Sequence, residues 1–423
     1  MSTIYAPITG RGGAVTTIRL SGPQSLRIGR ALAGTLPPAR HVGLRRLQAD
    51  GKLLDEALVV AFSGPHSFTG EDVVELSVHG GRAVLAAVSS ALVALGARPA
   101  EPGEFSRRAF EHGRMDLLQA EAIADLIAAE TEAQRQQALA GRLHEACLSW
   151  RERLRHLLAH QEALIDFPDE DLPPAVEAGL RQGIADLRDE MQAALLAAPA
   201  AERLREGLDF VILGPPNAGK STLLNALAGE DVAIVSDLPG TTRDAVGVRV
   251  DLGGVPVRLT DTAGLRDTTD MIEAEGIRRA KLKAETADFV ILVAAPGEPF
   301  PPPPAGGGVL RVRTKADLLQ EQDLTALYVS ARSGAGMEAL RAMLVTQAHA
   351  LTDRQGAAAL ARPRQTACVR DTLTALDMAL SLEEPELRGE ELRSAAQALA
   401  RLAGGIGVEE ILDAVFSGFC IGK

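Results

Sequence analysis

The chain has 423 residues, enough for about three domains of ordinary size. Apolar residues make up 46% and aromatic residues only 3%, so a large core is affordable and must be built mainly from Leu, Val, Ile and Ala. A net charge of −12 argues against a general nucleic-acid binder. Three cysteines, Cys147, Cys368 and Cys420, lie far apart and match no zinc spacing, which suits a reducing compartment without disulfides. Residues 1–14 hold no apolar signal core and no run approaches membrane-spanning length, so the expectation is a soluble, cytoplasmic protein without membrane contact. The charge is uneven. Residues 1–112 contain 12 Lys/Arg and 9 Asp/Glu, a balance of +3, which leaves −15 for the rest. Any RNA contact needs a local patch or a more basic partner.

Residues 1–112 mix strands and turns. Runs 14–20 and 57–62 are β-rich, and 73–78 alternates into a third strand. Gly10-Arg11-Gly12-Gly13 and Ser63-Gly64-Pro65 are loop signals. Residues 82–95 have helical spacing. This is an α+β domain.

From Met115 the composition turns to Ala, Leu, Glu, Gln and Arg. Leu139, Leu143, Cys147, Trp150, Leu154, Leu157 and Leu164 form one apolar face of a long helix, closed by Asp166-Phe167-Pro168-Asp169. A second helix is marked by Val176, Leu180, Ile184, Leu187, Met191 and Leu195. Cys147 sits on an apolar stripe and reads as core.

Phe210-Val211-Ile212-Leu213 has the length of a buried strand. Gly214-Pro215-Pro216-Asn217-Ala218-Gly219-Lys220-Ser221 then fits G-x-x-x-x-G-K-[ST] at every fixed position, and Thr222-Leu223-Leu224 opens a helix. Such a loop turns backbone N–H groups toward a phosphate at a helix N-terminus. Lys220 would reach the β- and γ-phosphates, and Ser221 would hold Mg²⁺. Asp261-Thr262-Ala263-Gly264 lies 41 residues beyond Lys220 and follows the apolar run 255–259. Its Asp can reach Mg²⁺ through water, and the Gly264 N–H can face a γ-phosphate. Thr314-Lys315-Ala316-Asp317 follows another strand-like run, 309–312. An Asp in this setting accepts hydrogen bonds from guanine N1 and N2, donors that adenine lacks. Tyr328-Val329-Ser330-Ala331 resembles the loop that supports guanine O6. The four motifs together predict GTP. Thr314 stands where Asn is usual; it can still hydrogen-bond to the phosphate loop. Leu265 stands where Ras-like enzymes place a water-orienting Gln, so another polar group is needed, with Arg266, Asp267, Asp270, Glu273 and Glu275 as candidates.

Helical patterning resumes after about residue 350. Val369, Leu373, Leu376 and Leu380 form one stripe; Leu392, Ala395, Leu399 and Leu402 a second; Val408, Ile411, Leu412, Val415 and Phe416 a third. Helices on both sides of the nucleotide segment predict a helical domain interrupted by an insertion. The expected parts are 1–112 (N-terminal domain), 113–206 (helical domain, first part), 207–350 (GTPase domain) and 351–423 (helical domain, second part). Residues 296–308, rich in Pro and Gly, read as a surface loop.

Several local sequences are distinctive: Gly12-Gly13-Ala14, Ile18-Arg19-Leu20-Ser21-Gly22, Ser67-Phe68-Thr69-Gly70-Glu71-Asp72-Val73-Val74-Glu75-Leu76, His79-Gly80-Gly81 and Pro102-Gly103-Glu104-Phe105. So are Ile234-Val235-Ser236-Asp237-Leu238-Pro239-Gly240-Thr241-Thr242-Arg243-Asp244 and the tail Phe419-Cys420-Ile421-Gly422-Lys423. Together they resemble the MnmE (TrmE) family of tRNA-modification GTPases. The resemblance implies an N-terminal folate-binding-like domain, a discontinuous helical domain and an inserted Ras-like P-loop GTPase domain. It implies a homodimer joined through the N-terminal domains, and a heterotetramer with the FAD-dependent protein MnmG (GidA). The pair would modify C5 of the wobble uridine of certain tRNAs, adding an aminomethyl or carboxymethylaminomethyl group. The one-carbon unit would come from 5-formyl- or methylene-tetrahydrofolate.

Carried over by position, the resemblance assigns folate contacts to Arg19, Glu75, Arg114 and Lys423, with Arg114 where the family commonly has Lys. Residues 234–244 become switch I, where Thr242 closes onto Mg²⁺ beside Ser221, and Ser236 and Thr241 contact nucleotide. K⁺ would be held by Asn217, Ser236, Leu238 and Thr241; Asn217 by residue type alone reads equally as a turn former. Glu273 becomes the residue that orients water. Cys420, set in a tail that ends on the charged Lys423, is a candidate catalytic residue, although a lone cysteine near the last helix reads equally as a packing group. The competing reading is a ribosome-assembly GTPase of the Era or Der kind, which leaves the N-terminal domain and the tail unexplained. A nucleotide-switched scaffold without chemistry of its own is the third.

Overall fold

The computed structural model of the protein describes residues 1–10, 12–166, 174–229, 247–261, 282–304, 306–318, 326–353, 358–405 and 409–422. They group into two compact units, Met1–Ala124 with Leu399–Lys423, and Asp125–Ala398.

The first unit is built on a six-stranded sheet: β1 (Ile4–Pro7), β2 (Val15–Ser21), β3 (Gly43–Ala49), β4 (Lys52–Phe62), β5 (Val73–His79) and β6 (Arg98–Pro99), in the order β3-β4-β5-β2-β1-β6. Neighbours run antiparallel except β1 and β6. Alternation divides the faces. Ile18, Leu20, Val74, Leu76 and Val78 pack under helices α1 (Ser25–Ala33) and α2 (Arg82–Ala94), against Ile28, Leu32, Val88 and Leu92. The opposite face carries Val60, Glu75, Arg19 and Ala6 in one cross-strand row. The three expected strands are present. β1 and β3 escaped the sequence reading for physical reasons. β1 is only four residues long, and in β3 only Leu47 is buried while Leu44 is 62% exposed opposite the half-exposed Leu58. Such a strand shows no apolar-in, polar-out rhythm.

Helices α3 (Glu104–Glu111) and α4 (Leu117–Ala128) follow the sheet. The C-terminal residues join this unit. The Leu117 N–H donates to the Ala403 carbonyl at 3.1 Å. Phe416 and Phe419 of the chain's end pack with Leu117, Ala120, Leu412 and Phe110.

The second unit joins helices to a nucleotide-type sheet. Here the expected single helix through Leu139 and Leu164 is two: α5 (Glu132–Leu139) and α6 (Arg142–Asp166). Gly141, at φ 60°, turns the chain left-handed between them and leaves Leu139 exposed at the end of α5. Thr131 and Gln134 form a capping box at the start of α5. The next helix, α7 (Pro174–Glu206), continues well past Leu195 and through Pro199, its buried stripe carried on by Ala194, Ala198, Ala201 and Leu204. Trp150 is buried on α6 and donates its indole N–H to Glu190 of α7 at 2.7 Å.

The sheet of this unit comprises β7 (Leu208–Leu213), β8 (Gly247–Leu252), β9 (Val255–Asp261), β10 (Phe289–Ala294), β11 (Gly308–Arg313) and β12 (Leu327–Tyr328), in the order β12-β11-β10-β7-β9-β8. All neighbours are parallel except β8 and β9. β10 is buried at every position, as befits a central parallel strand with both faces covered. Helix α8 (Lys220–Leu227) and helix α9 (Met337–Thr352) supply Leu223, Leu227, Leu340 and Leu344 to the core. Helices α10 (Pro363–Ser381), α11 (Pro385–Leu402) and α12 (Glu409–Ser417) complete the chain, and Leu392, Ala395, Leu399 and Leu402 are buried as their spacing predicts. Among the described residues no helix is long and apolar enough to cross a membrane.

Candidate functional site

β7 delivers the chain to the loop 214–219, and α8 begins at Lys220. Asn217 (φ 62°) and Gly219 (φ 85°) both adopt left-handed backbone, the conformation that lets successive N–H groups face one point. Lys220 is 5% exposed, and its Nζ donates to the carbonyls of Gly214 at 2.9 Å and Pro215 at 2.8 Å. Its ammonium thus sits within the loop, where anion oxygens can displace the carbonyls. Thr222 is exposed in the first turn of α8.

Asp261 ends β9 opposite Ile212 of β7. That register carries its carboxylate to α8, where the Ser221 Oγ donates to Asp261 Oδ2 at 2.5 Å. A hydroxyl and a carboxylate so placed are hard oxygen donors of the kind that suits Mg²⁺.

The base loop clasps the phosphate loop. The Thr314 Oγ1 donates to the Ala218 carbonyl at 2.6 Å, which is the hydrogen bond expected of a residue standing in for Asn. Lys315, at φ 53°, sends its Nζ to the Asn217 carbonyl at 2.9 Å. Asp317 is exposed, and a hydrogen bond from Ser330, with help from its own backbone N–H, holds its carboxyl below the ordinary carboxylate range. Asp317 is therefore a charged acceptor at neutral pH. Ser330 is 1% exposed and is fixed by its N–H to the Ala335 carbonyl at 2.9 Å, with the half-buried Ala331 beside it. The sequence reading singled out Asp317 and Ser330 separately; their contact with each other, and the Lys315 clasp, come from the fold.

Ser236, Leu238, Thr241, Thr242, Thr262, Ala263, Gly264, Glu273 and Lys423 lie outside the described residues. Of the K⁺ set, Asn217 is described, exposed and left-handed.

The first unit holds a second polar site. Arg19 and Glu75 are register partners on β2 and β5, and the Arg19 Nε donates to Glu75 Oε1 at 2.8 Å. The guanidinium also lies 4.7 Å from the Phe68 ring centroid and 5.7 Å from that of Phe105. Two of the few aromatic residues are thus spent on one arginine, a stacking geometry that fixes the guanidinium plane. Arg114 is exposed and lies beside Gly70 rather than in this pair. The tail comes to the same sheet. Ile421 bridges to Pro102, and Gly422 is pressed so closely on Pro7 that a Cβ there would stand 2.2 Å from the Pro7 carbonyl oxygen. Pro7 directly follows Ala6, the partner of Arg19 in β1. Cys420 is exposed, and its carbonyl accepts from the Gly103 N–H at 3.4 Å.

Next to this pair runs a polar chain absent from the sequence reading. The Ser21 Oγ donates to Glu71 Oε2 at 2.7 Å and pairs with Thr69 Oγ1 at 2.6 Å. Arg108, 4% exposed, joins Glu71 at 3.0 Å and Glu104 at 2.9 Å, and Arg98 joins Glu104 in turn at 2.5 Å. The four-residue spacing of Glu104 and Arg108 on α3 is the one signal the sequence offered.

The family profile described as MnmE helical domain matches residues 117–420, and that of the GTP-binding protein TrmE N-terminus matches residues 3–114. The chain is 59% identical to the tRNA modification GTPase MnmE of Acidiphilium cryptum (strain JF-5), over 99% of this chain and 98% of that protein. It is 54% identical to the protein of the same name from Gluconacetobacter diazotrophicus, over 99% of this chain and 98% of that protein. With Rhodospirillum rubrum MnmE it shares 47% identity, over the full length of both. The chain belongs to the MnmE (TrmE) family of tRNA modification GTPases.

Proposed function

We propose that the chain binds and hydrolyses GTP at the loop 214–221 and, with an FAD-dependent MnmG partner, modifies C5 of the wobble uridine of certain tRNAs with a one-carbon unit from tetrahydrofolate. Lys220 contacts the β- and γ-phosphates once its loop carbonyls are released. Asp317 accepts from guanine N1 and N2, and Ser330 with Ala331 supports O6. Mg²⁺, held by Ser221 and Thr242 with Asp261 behind it, would supply charge neutralisation at the phosphates. Asn217 with Ser236, Leu238 and Thr241 would hold K⁺, and Glu273 would orient the attacking water. In the first unit Arg19, Glu75, Arg114 and Lys423 would bind folate, with Cys420 at the modification chemistry. The homodimer and the heterotetramer with MnmG belong to this reading.

The observation that supports it most is the place of the tail. Gly422 is seated on β1 beside the strand row that holds Arg19 and Glu75. A GTPase that only assembled ribosomes gives no reason for residues 421–422 to sit on the strand next to a stacked Arg–Glu pair. The test is wobble-uridine modification in a strain lacking the endogenous enzyme, complemented with the wild-type chain or with Cys420→Ser. Modification restored by wild type and lost in Cys420→Ser, with GTP hydrolysis intact in both, is the expected result. Failure of the wild-type chain to restore modification would sink the reading.

A further inference from the structure

The net charge of −12 leaves open where this chain would touch RNA. The first 49 residues answer with an asymmetry: they contain seven arginines, at 11, 19, 27, 30, 40, 45 and 46, and neither Asp nor Glu. In the fold two of these are neutralised, Arg19 by Glu75 and Arg46 by Glu56. Arg27, Arg30, Arg40 and Arg45 form no ion pair with a carboxylate among the described residues. Three of them are tied to backbone carbonyls instead. Arg45 Nε donates to the Thr35 carbonyl at 2.6 Å, Arg40 Nη2 to that of His66 at 3.0 Å, and Arg27 Nη2 to that of Leu95 at 2.9 Å.

Three of these arginines, Arg30, Arg40 and Arg45, gather at one place. Arg30, Gly34, Thr35, Pro37, Ala39, Ala61 and Ser63 line a cavity of about 530 Å³ between α1 and the strands. Thr35 receives Arg45, and the Arg40 N–H donates to the Ala61 carbonyl at 2.8 Å, so both join the rim where Arg30 stands. Arg27, one turn earlier on α1, is directed instead to Gln24 and Leu95. Arg45 also donates Nη1 to the Leu44 carbonyl at 2.8 Å, and Arg27 donates Nε to Gln24 Oε1 at 2.7 Å. A guanidinium held by neutral acceptors keeps its full charge and presents its remaining donors in a set direction. That fork suits phosphate oxygens. Among the described residues the rim offers no exposed Phe, Tyr or Trp for base stacking, so recognition would be chiefly of backbone.

We propose that this arginine rim is a docking surface for the phosphate backbone of the tRNA, a proposal that rests on the function given above. Charge complementarity selects the occupant: an uncompensated cluster on an otherwise acidic chain concentrates the attraction for a polyanion at one site.

The experiment uses the full chain with unfractionated tRNA as probe, with affinity measured across a range of KCl concentrations. Arg30→Gln with Arg40→Gln removes two charges. The slope of log affinity against log salt should shrink by about 1.5, and affinity at moderate salt should fall about tenfold. Arg30→Lys with Arg40→Lys should keep most of the slope. GTP hydrolysis and melting temperature should match wild type, since neither residue belongs to the nucleotide site. Arg142→Gln with Arg151→Gln, two exposed arginines of the other unit, should leave most of the slope in place. An unchanged slope in the Arg30/Arg40 Gln variant overturns the proposal, as does an equal loss in the Arg142/Arg151 variant. Retained tRNA affinity with lost binding of a protein partner also overturns it, and reassigns the rim to that partner. If the wild-type chain binds no tRNA, the function proposed above falls as well; if it binds and modifies while the variant matches it, only the rim falls.

Discussion

Two buried cations in this molecule are solvated in opposite ways. Arg108 is 4% exposed, and its hydrogen bonds run to the carboxylates of Glu71 and Glu104, which are themselves tied to Ser21 and Arg98. Lys220 is 5% exposed, and its hydrogen bonds to Gly214 and Pro215 fold back onto the very loop it closes. Burial is the same, yet the first charge is locked into its own unit by opposite charges. The second donates to carbonyls of its own loop, which an anion can outcompete. A buried cation met by carboxylates fixes a fold; one met by backbone carbonyls at a helix N-terminus is poised for a phosphate.

The largest effect expected from breaking this contrast is at Arg108. Arg108→Met keeps much of the side-chain volume but leaves Glu71 and Glu104 facing each other half-desolvated. Removing one partner of a buried ion pair typically costs about 3–5 kcal/mol. The unfolding transition of the first unit should move to markedly lower denaturant, with GTP affinity unaltered. A variant that melts like wild type would show that Arg108 is not the fixing element.

Lys220→Ala tests the other side. Charge-assisted hydrogen bonds contribute about 1.5–3 kcal/mol, so GTP affinity should drop on the order of 10²-fold. Stability without nucleotide should fall less than in Arg108→Met, because the bonds to Gly214 and Pro215 lie within the loop itself. Nucleotide titration read against thermal melting of the apo protein separates the two. A large loss of apo stability would place Lys220 in the same class as Arg108.

The two sites also differ in how much of each the sequence revealed. The nucleotide site is written in short contiguous motifs, because one loop must supply consecutive N–H groups and a helix start. Hence 214–221, Asp261 and 314–317 were readable at once. The polar chain around Arg108 draws on positions 21, 69, 71, 98, 104 and 108, from two strands, a loop and a helix, and only the sheet's register brings them together. The break at Gly141 was missed because an apolar face continues in sequence across a residue whose left-handed backbone stops the helix. β3 was missed because Arg45 stands on its core side and Leu44 on its solvent side, which breaks the alternation.

Thr314 sharpens the comparison at a smaller scale. Its hydroxyl donates to the buried Ala218 carbonyl, so a neutral hydrogen bond holds the loop that the charged Lys220 serves. Thr314→Val keeps the shape and removes the donor. An unmet buried acceptor costs about 1–3 kcal/mol, part of which falls on the free protein. GTP affinity should fall several-fold to tenfold, well short of the Lys220→Ala loss. Equal losses in the two variants would mean that loop geometry, rather than phosphate charge, governs binding.

The smallest effect is in the acid response of the first unit. Burial of Glu104 favours its neutral form, but hydrogen bonds from Arg98, from the Glu101 N–H and from Arg108 outweigh it and hold the carboxyl below its ordinary value of 4.5. A carboxyl whose value is lower in the folded state than in the unfolded chain stabilises the fold above the unfolded value. That contribution disappears as pH falls through the folded value. It should therefore be complete at neutral pH and fade below about 4.5. Glu104→Gln keeps the shape and removes the titration. Hydrogen exchange of the 98–108 backbone should be faster in the variant than in wild type at pH 7, and the ratio should shrink toward one as the pH is lowered. After correction for intrinsic exchange, a ratio that stays constant with pH would show that Glu104 acts through shape alone. The carboxylate side of the Arg108 lock would then rest on Glu71.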